Sequence, residues 1–168
     1  MLVVSCHADT CGTAHRCEVR GRSYYGHMDN FSGVHAVMGA FFSGRLRHDH
    51  IRIELTHGEE DDMEGARQVR RTLKEHDVVV VVDVTGTPTR KALVIEKCRD
   101  ESLRAFLAKA LDGVPFDLYE GCPDPIADED EVDVYVKKIR RVFLLGIPCT
   151  GGDYNEEEVF CRKRSIAA

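Results

Sequence analysis

The hydrophobic residues of this chain follow two spacings, which predicts strands that alternate with helices. The unbroken β-branched run at 78–82 is typical of a central strand buried on both faces of a parallel sheet. Apolar residues at helical spacing predict amphipathic helices elsewhere. The predicted strands are 2–6, 17–19, 51–55, 78–82, 92–95, 116–119 and 142–145, and the predicted helices are 29–43, 62–76, 101–111 and 132–139.

This order of elements predicts an α/β fold, arranged as three α/β/α layers around a mostly parallel central sheet. A chain of 168 residues is long enough for one domain with its own core, so we expect a single compact domain over 1–168. We expect the acidic stretch 121–131 to be a loop, Glu156 to Glu158 to begin a helix, and Arg162 to Arg164 to form a solvated tail.

The net charge of −6 does not favour nucleic acid or an anionic membrane as a partner. No apolar run approaches the length that spans a bilayer. The apolar stretch at the N-terminus is too short for a signal peptide, so we expect a cytoplasmic protein.

Seven cysteines are present, and no pair among Cys6, Cys11 and Cys17 has the CxxC spacing of a zinc knuckle or redox motif. Reduced, buried or half-buried thiols are the expectation in the cytosol. The alternative is that Cys6 or Cys11 lines a metal site. A metal or redox module centred on cysteine would require all three to converge.

Acidic and histidine side chains recur where the predicted strands end. The carboxyl ends of parallel strands meet at one edge of a sheet, and ligands bind there. Asp29 reaches the same edge at the start of a predicted helix, where the helix dipole favours an ionised carboxylate. The candidates are His7, Asp9, Asp29, Glu59, Glu60, Asp83 and Asp153, with Tyr154 beside the last.

Imidazole and carboxylate ligands suit zinc, and also manganese or cobalt. One Asp can bridge two ions about 3.5–4 Å apart, as in two-metal hydrolases. A Glu next to a ligand can take a proton from water at such a site. The strand ends therefore predict a metal site that holds one or two ions.

Four motifs in order resemble those of the two-zinc, co-catalytic exopeptidase superfamily. The spacing is similar to that of its compact leucyl and glutamyl aminopeptidase branch, in which no lid interrupts the catalytic domain. The resemblance therefore implies a catalytic domain without a lid. The motifs are His7-Ala8-Asp9, Asp29-Asn30 with Ser32-Gly33-Val34, Gly58-Glu59-Glu60 with Gly65-Ala66, and Asp83.

The resemblance implies a role for each of these residues. His7 and Asp83 would bind one metal, Glu60 the second, and Asp29 would bridge both. The peptide bond between Asp29 and Asn30 is expected to be cis.

The resemblance also implies roles for Glu59 and Asp9. Glu59 would be the general base that activates metal-bound water, and Asp9 would orient the His7 ring through its other nitrogen. The predicted function is hydrolysis of an amide bond in a small peptide or an acylated amino acid. The metal would stabilise the oxyanion that forms.

The chain departs from the family pattern near its C-terminus, because it has no histidine after His76. Asp153 or Tyr154 stands where the second metal site is usually closed by a His, and Asp153 is the candidate replacement. The chain also begins directly on the first strand, so walls of the substrate site would be missing or come from another subunit of a homo-oligomer. The alternative function is a degenerate member of the same fold that serves as a metal-binding or interaction domain.

Overall fold

A computed structural model of the chain describes residues 1–11, 16–123, 129–152 and 157–167, and its centre is a nine-stranded sheet. The strands are β1 (Leu2–His7), β2 (Cys17–Arg20), β3 (Ser23–Gly26), β4 (Ile51–Thr56), β5 (Val78–Thr85), β6 (Leu93–Glu96), β7 (Phe116–Leu118), β8 (Val142–Thr150) and β9 (Val159–Arg162). The helices are α1 (Phe31–Phe42), α2 (Glu64–Thr72), α3 (Glu101–Ala110), α4 (Glu131–Tyr135) and α5 (Lys163–Ala167).

The centre of the sheet is parallel. Strands β4, β1, β5 and β8 lie side by side in that order, and each neighbouring pair is parallel. Antiparallel strands β9, β3 and β2 extend the sheet beyond β8, while β6 pairs antiparallel with β8 and parallel with β7. The predicted α/β class with a mostly parallel central sheet is confirmed.

Helices cover both faces of the sheet. Because side chains alternate along a strand, β1 and β5 each contribute to two hydrophobic cores. Val4, Val80 and Val82 pack in the core that includes α1 and α3, whereas Val3 and Val79 pack in the core that includes α2 and α4. This arrangement gives the three layers that the sequence predicts.

The strand register brings the ends of β1, β4 and β5 to one edge. His7 pairs with Thr56 across β1 and β4, and Ser5 pairs with Val81 across β1 and β5. Two residues further along, His7 and Asp83 are therefore neighbours on the same face. The turn that follows Thr56 enters at the same edge.

Two central strands are longer than predicted. Asp83 lies inside β5, which continues to Thr85, and β8 continues to Thr150 instead of ending at residue 145. Pairing between the two strands, from Asp83 opposite Gly146 to Thr85 opposite Pro148, accounts for the extension. The apolar run alone did not reveal this part of the ladder, because packing and pairing against neighbours decide where a strand ends.

The C-terminal elements also differ from the prediction. Glu157 and Glu158 precede strand β9 and do not begin a helix, and Glu156 lies outside the described residues. The segment Arg162 to Arg164 is not a tail, because it joins β9 to α5. Antiparallel pairing of β9 with β3 and β8 holds this segment, and β3 itself was not predicted.

The four predicted helices form, with α2 and α4 shorter than expected; Val37 of α1 is buried in the core, whereas the apolar residues at the two ends of this helix are exposed. Phe31 and Phe42 are 56% and 69% exposed, whereas Ser32 and Gly33 are buried. A Cβ atom at Gly33 would lie 2.1 Å from Oδ1 of Asn30, so this close approach requires glycine. The start of the helix is therefore shaped by polar contacts to the sheet. None of the described helices has the length and hydrophobicity needed to cross a membrane.

Candidate metal centre

His7 is the centre of the site and is 0% exposed at the end of β1. Its Nε2 atom lies 3.0 Å from Oδ1 of Asp29 and 3.3 Å from Oδ2 of Asp83. Its Nδ1 atom lies 3.6 Å from Oδ1 of Asp9. The ring thus has two carboxylates at one nitrogen and one carboxylate at the other.

Asn30 fixes the loop that carries Asp29. Its Nδ2 donates to the carbonyl oxygen of Val82 at 2.8 Å and lies 3.3 Å from Sγ of Cys6, while its Oδ1 accepts from the Gly33 N–H at 3.0 Å. One side chain therefore links β5, β1 and the first turn of α1. The Asp29–Asn30 peptide bond is cis, as the resemblance predicts.

Glu59 and Glu60 occupy the turn between β4 and α2. The turn begins at Gly58, which has a φ of 73° that favours glycine, and its carbonyl oxygen accepts from the N–H groups of Asp62 and Met63. The Glu60 N–H donates to Oδ2 of Asp9 at 3.3 Å. This contact ties the turn to the segment after β1.

Six of the seven predicted site residues converge at this edge, and we call them the strand-end cluster. Two groups of potential ligands share the His7 ring, and within each group the donor atoms lie within 4.8 Å of one another. The first group contains Asp29 and Asp83, and the second contains Glu59 and Glu60. Asp153 and Tyr154 lie outside the described residues. The strand-end cluster comprises His7, Asp9, Asp29, Glu59, Glu60 and Asp83.

Crowding of negative charge disturbs the acids of the cluster. Burial, with the charges of Asp83, Asp29 and Glu60, raises the pKa of Glu59 to about 9. Burial, with the charge of Asp29, also raises the pKa of Asp83 to about 7, although His7 counteracts this. Without a cation, Glu59 is therefore expected to be protonated at neutral pH, and Asp83 to be protonated in about half of the molecules.

In His7 and Asp9 the charged form is favoured, because each has an oppositely charged partner. Burial alone would lower the pKa of His7, but Asp83, Asp29 and Asp9 together hold it well above its usual range. Burial alone would raise the pKa of Asp9, but hydrogen bonding to His7 and to the Glu60 N–H holds it below its usual range. In the metal-free chain, the imidazole therefore acts as the internal counter-charge.

The donor set fits a divalent cation. Among the described residues, Oε1 of Glu60 is a buried atom with no hydrogen-bond partner. Oδ1 of Asp29 and Nδ1 of His7, in contrast, each face an ion-pair partner, which is Nε2 of His7 at 3.0 Å for the first and Oδ1 of Asp9 at 3.6 Å for the second. Buried polar atoms are normally paired, so the unsatisfied Glu60 oxygen favours a ligand at this position. Imidazole nitrogen and carboxylate oxygen are the donors that zinc prefers in hydrolytic sites.

A cavity of about 380 Å³ adjoins the cluster and offers room for a small substrate. Asp9 and Asp29 form part of its wall, together with the exposed ring of Phe31. Arg16 and His27 lie on the same wall. The cavity thus combines one apolar surface with several polar groups beside the potential metal ligands.

The cysteines only partly match the expectation of buried or half-buried thiols. Five are buried or half-buried, whereas Cys11 and Cys17 are exposed. Cys6 packs in the α1 core on the face of β1 opposite His7, so it does not point into the cluster. Sγ of Cys11, in contrast, lies 2.8 Å from Oε2 of Glu60.

The model of peptidase family M28 matches residues 1–121, which is most of the chain. The chain belongs to peptidase family M28. Membership of this family implies a metal cofactor, usually zinc, and confirms the resemblance to the two-zinc exopeptidases. Among curated proteins, none gives a significant sequence match.

Solved aminopeptidases share the fold of this M28 chain. A TET aminopeptidase from a marine-sediment Thaumarchaeota archaeon is 13% identical with a TM-score of 0.69, and the match covers 91% of this chain and 49% of that one. An aminopeptidase from the archaeon Desulfurococcus kamchatkensis is 14% identical with a TM-score of 0.67, covering 91% and 48%. An aminopeptidase from Thermotoga maritima is 15% identical with a TM-score of 0.66, covering 89% and 45%. The chain spans about half the length of these structures.

Proposed function

We propose that this chain is a metal-dependent hydrolase of the aminopeptidase type, which cleaves an amide bond in a small peptide or an acylated amino acid. The observation that carries the proposal is the convergence of two ligand groups on His7 at the edge of a parallel sheet. Membership of family M28 supports the same class of reaction.

The proposed ligand sets follow the two groups. His7, Asp29 and Asp83 would hold one ion, and Asp29 with Glu60 would contribute to a second, with Asp153 as the sequence-based candidate to complete it. Zinc fits these donors, and manganese or cobalt could replace it. When bound, such a cation supplies Lewis acidity, which makes water more acidic and stabilises negative charge on a carbonyl oxygen.

Glu59 is the proposed general base. It is half-buried beside Glu60 in the turn after β4, and one of its oxygens lies within 4.8 Å of donor atoms of His7 and Glu60. From this position its carboxylate would accept a proton from the attacking water and deliver it to the leaving nitrogen. Asp9 is a positioning residue in this scheme, because it faces Nδ1 of the His7 ring.

The test is the substitution Glu59→Gln in protein loaded with zinc. Activity would be measured on amino-acid p-nitroanilides and N-acetyl amino acids, and bound zinc would be measured in parallel. We expect hydrolysis to fall by at least about a hundredfold while zinc remains bound, since a general base contributes about 10²–10⁴ in rate. Asp61→Asn is the matched control, because Asp61 is an exposed acid in the same turn.

Full activity of Glu59→Gln would overturn the proposed role of Glu59. A wild-type chain that binds zinc but hydrolyses none of the substrates would instead support the alternative, a metal-binding or interaction domain of the same fold. A homo-oligomer, a cytoplasmic location and a single domain over 1–168 without a lid stay predictions.

A further inference from the structure

A second cavity, of about 590 Å³, lies between the central sheet and helices α1 and α5, and we call it the α1 cavity. Its sheet wall is apolar and includes Val4, Val82 and Ile147. Because side chains alternate along a strand, Val4 and Val82 point to the opposite face of the sheet from His7 and Asp83. Among the described residues, none lines both this cavity and the one beside the strand-end cluster. The α1 cavity is therefore separate from the proposed metal centre.

The charged side chains on the described wall of the α1 cavity are both basic. They belong to Arg45, which follows α1, and to Lys163, which begins α5. In the part of the chain that the structure describes, neither side chain forms an ion pair. Nζ of Lys163 lies 5.6 Å from the centroid of the Tyr24 ring, which also lines the cavity. The net charge of the chain is −6, so this basic rim is a local feature that favours an anion.

An unsatisfied hydroxyl group lies on the same wall and points to a ligand independently of the charges. Ser165 of α5 lines the cavity and is 3% exposed, and among the described residues its Oγ has no hydrogen-bond partner. Buried polar atoms are normally paired. The wall thus offers an unused donor two residues from Lys163, next to an apolar surface.

We infer that the α1 cavity binds a fatty carboxylate, which is a hydrocarbon chain with one anionic head. The chain would lie against the apolar sheet wall, and the carboxylate would pair with Arg45 and Lys163. Ser165 would donate to the carboxylate once its side chain rotates toward the cavity. A volume of about 590 Å³ lies within the range of small-molecule sites, about 300–1,000 Å³. This binding site does not depend on the proposed metal-dependent function.

Decanoate is the probe for the test, and isothermal titration calorimetry of the full chain below the micellar concentration is the measurement. Butyrate has the same head with a short chain, and decyltrimethylammonium has the same chain with a cationic head. We expect decanoate to bind at least about tenfold more tightly than either, because the site uses both the chain and the charge. The titration is run with a chelator and again with zinc, and the two affinities should agree.

Gly39 of α1 allows the cavity to be filled without a clash. It lines the cavity, and a Cβ atom added there meets no atom within 4 Å. Gly39→Leu should therefore keep the fold, as seen by circular dichroism, and weaken decanoate binding at least about tenfold by taking up space for the chain. Gly39→Ala is the matched control and should keep most of the affinity.

The polar wall is tested with three further variants. Arg45→Met should weaken decanoate binding about fivefold, the upper end for an exposed ion pair. Arg47→Met is the matched control, because Arg47 lies outside the cavity wall and donates to the Phe41 carbonyl oxygen. Ser165→Ala should weaken binding at least about threefold, since it removes a donor to a charged group.

The outcomes separate this inference from the proposed hydrolase. Absence of decanoate binding, equal binding of decyltrimethylammonium, or affinity unchanged in both Gly39→Leu and Arg45→Met would overturn the inference and leave the metal centre untouched. Binding that requires zinc and is lost in Asp83→Ala would place the carboxylate at the metal centre and also overturn it. Dimers that Gly39→Leu dissociates, without decanoate binding, would assign the cavity to a second copy of the chain and contradict the inference.

Discussion

Acidic side chains are buried in several parts of the described structure, and two of these regions neutralise them in different ways. In the first region, which we call the lysine triad, Nζ of Lys97 lies 3.0 Å from Oδ2 of Asp130 and 2.5 Å from Oδ2 of Asp133. Lys97 and Asp130 are 7% and 9% exposed. The carboxylates raise the pKa of Lys97 despite its burial, so the ammonium group remains charged.

In the described part of the strand-end cluster, the counter-charge is the His7 imidazole and not a lysine or arginine. The five carboxylates of the cluster surround this one imidazole, and among the described residues no Lys or Arg forms an ion pair with them. A buried charge is costly unless it is paired. The lysine triad supplies its own cation, whereas we propose that the strand-end cluster takes a cation from solution.

The largest effect on folding is expected from removing the internal cation of the lysine triad. Lys97→Met leaves buried Asp130 with no ammonium partner, which should destabilise the fold by about 3 kcal/mol in urea unfolding. Zinc binding should be unchanged. Lys91→Met is the matched control, because it breaks the more exposed pair with Asp117 and should cost at most about 1 kcal/mol.

Equal destabilisation by the two lysine substitutions would contradict the structural role of the lysine triad. A loss of zinc binding in Lys97→Met would show that the two acidic regions are not independent.

A smaller effect is expected from Asn30→Ala, which should link stability to metal binding. The change removes the cap on the Gly33 N–H and the donor to the Val82 carbonyl, so we expect a loss of about 2 kcal/mol. Because Asn30 positions Asp29, zinc affinity should fall by about tenfold in competition with a chelator.

The control for Asn30→Ala is Asp100→Ala, which removes the cap on the Leu103 N–H at the start of α3. It should cost about 1 kcal/mol and leave zinc affinity unchanged. Unchanged zinc affinity in Asn30→Ala would show that the loop holding Asp29 does not depend on this anchor.

The stability of the metal-free chain should also depend on pH. The pKa is about 7 for Asp83 and about 9 for Glu59 in the folded chain, and that of His7 is also raised. In the unfolded chain, carboxyl groups have a pKa of about 4. Above that pH the folded state therefore binds more protons than the unfolded state, and its stability falls as the pH rises toward the folded pKa values.

Urea unfolding in the presence of a chelator, between about pH 5 and pH 8, should show this fall, with a slope of about 1.4 kcal/mol per pH unit for each group that is protonated only in the folded state. With saturating zinc the slope should reverse, because metal ligands bind only when deprotonated. Metal-free stability that rises over this range would contradict the electrostatic account of the strand-end cluster.

Much of the fold could be predicted because it depends on local patterns. The apolar run at 78–82 predicts β5, and the carboxylates after the predicted strands indicate the shared edge. What was missed depends on pairing between distant segments. Strands β3 and β9 form by pairing with each other, and the continuation of β5 past Asp83 depends on β8.

The site, too, has residues that local patterns predict and contacts that they do not predict. His7, Asp29 and Asp83 could be chosen from residue type and strand ends, because parallel strands bring their carboxyl ends together. The contact between Cys11 and Glu60 joins two turns and has no spacing that would indicate it. The anchoring of Asn30 to Val82 likewise depends on tertiary packing.

Metal content per chain, measured after purification without chelator, tests the central claim that the strand-end cluster takes a cation from solution. The account predicts one or two equivalents of zinc, manganese or cobalt in the wild type and a loss of at least one equivalent in Asp83→Ala, because Asp83 lies 3.3 Å from Nε2 of His7. A wild-type chain that holds no metal even after zinc is added back would contradict it, and so would an Asp83→Ala variant that keeps its full metal content.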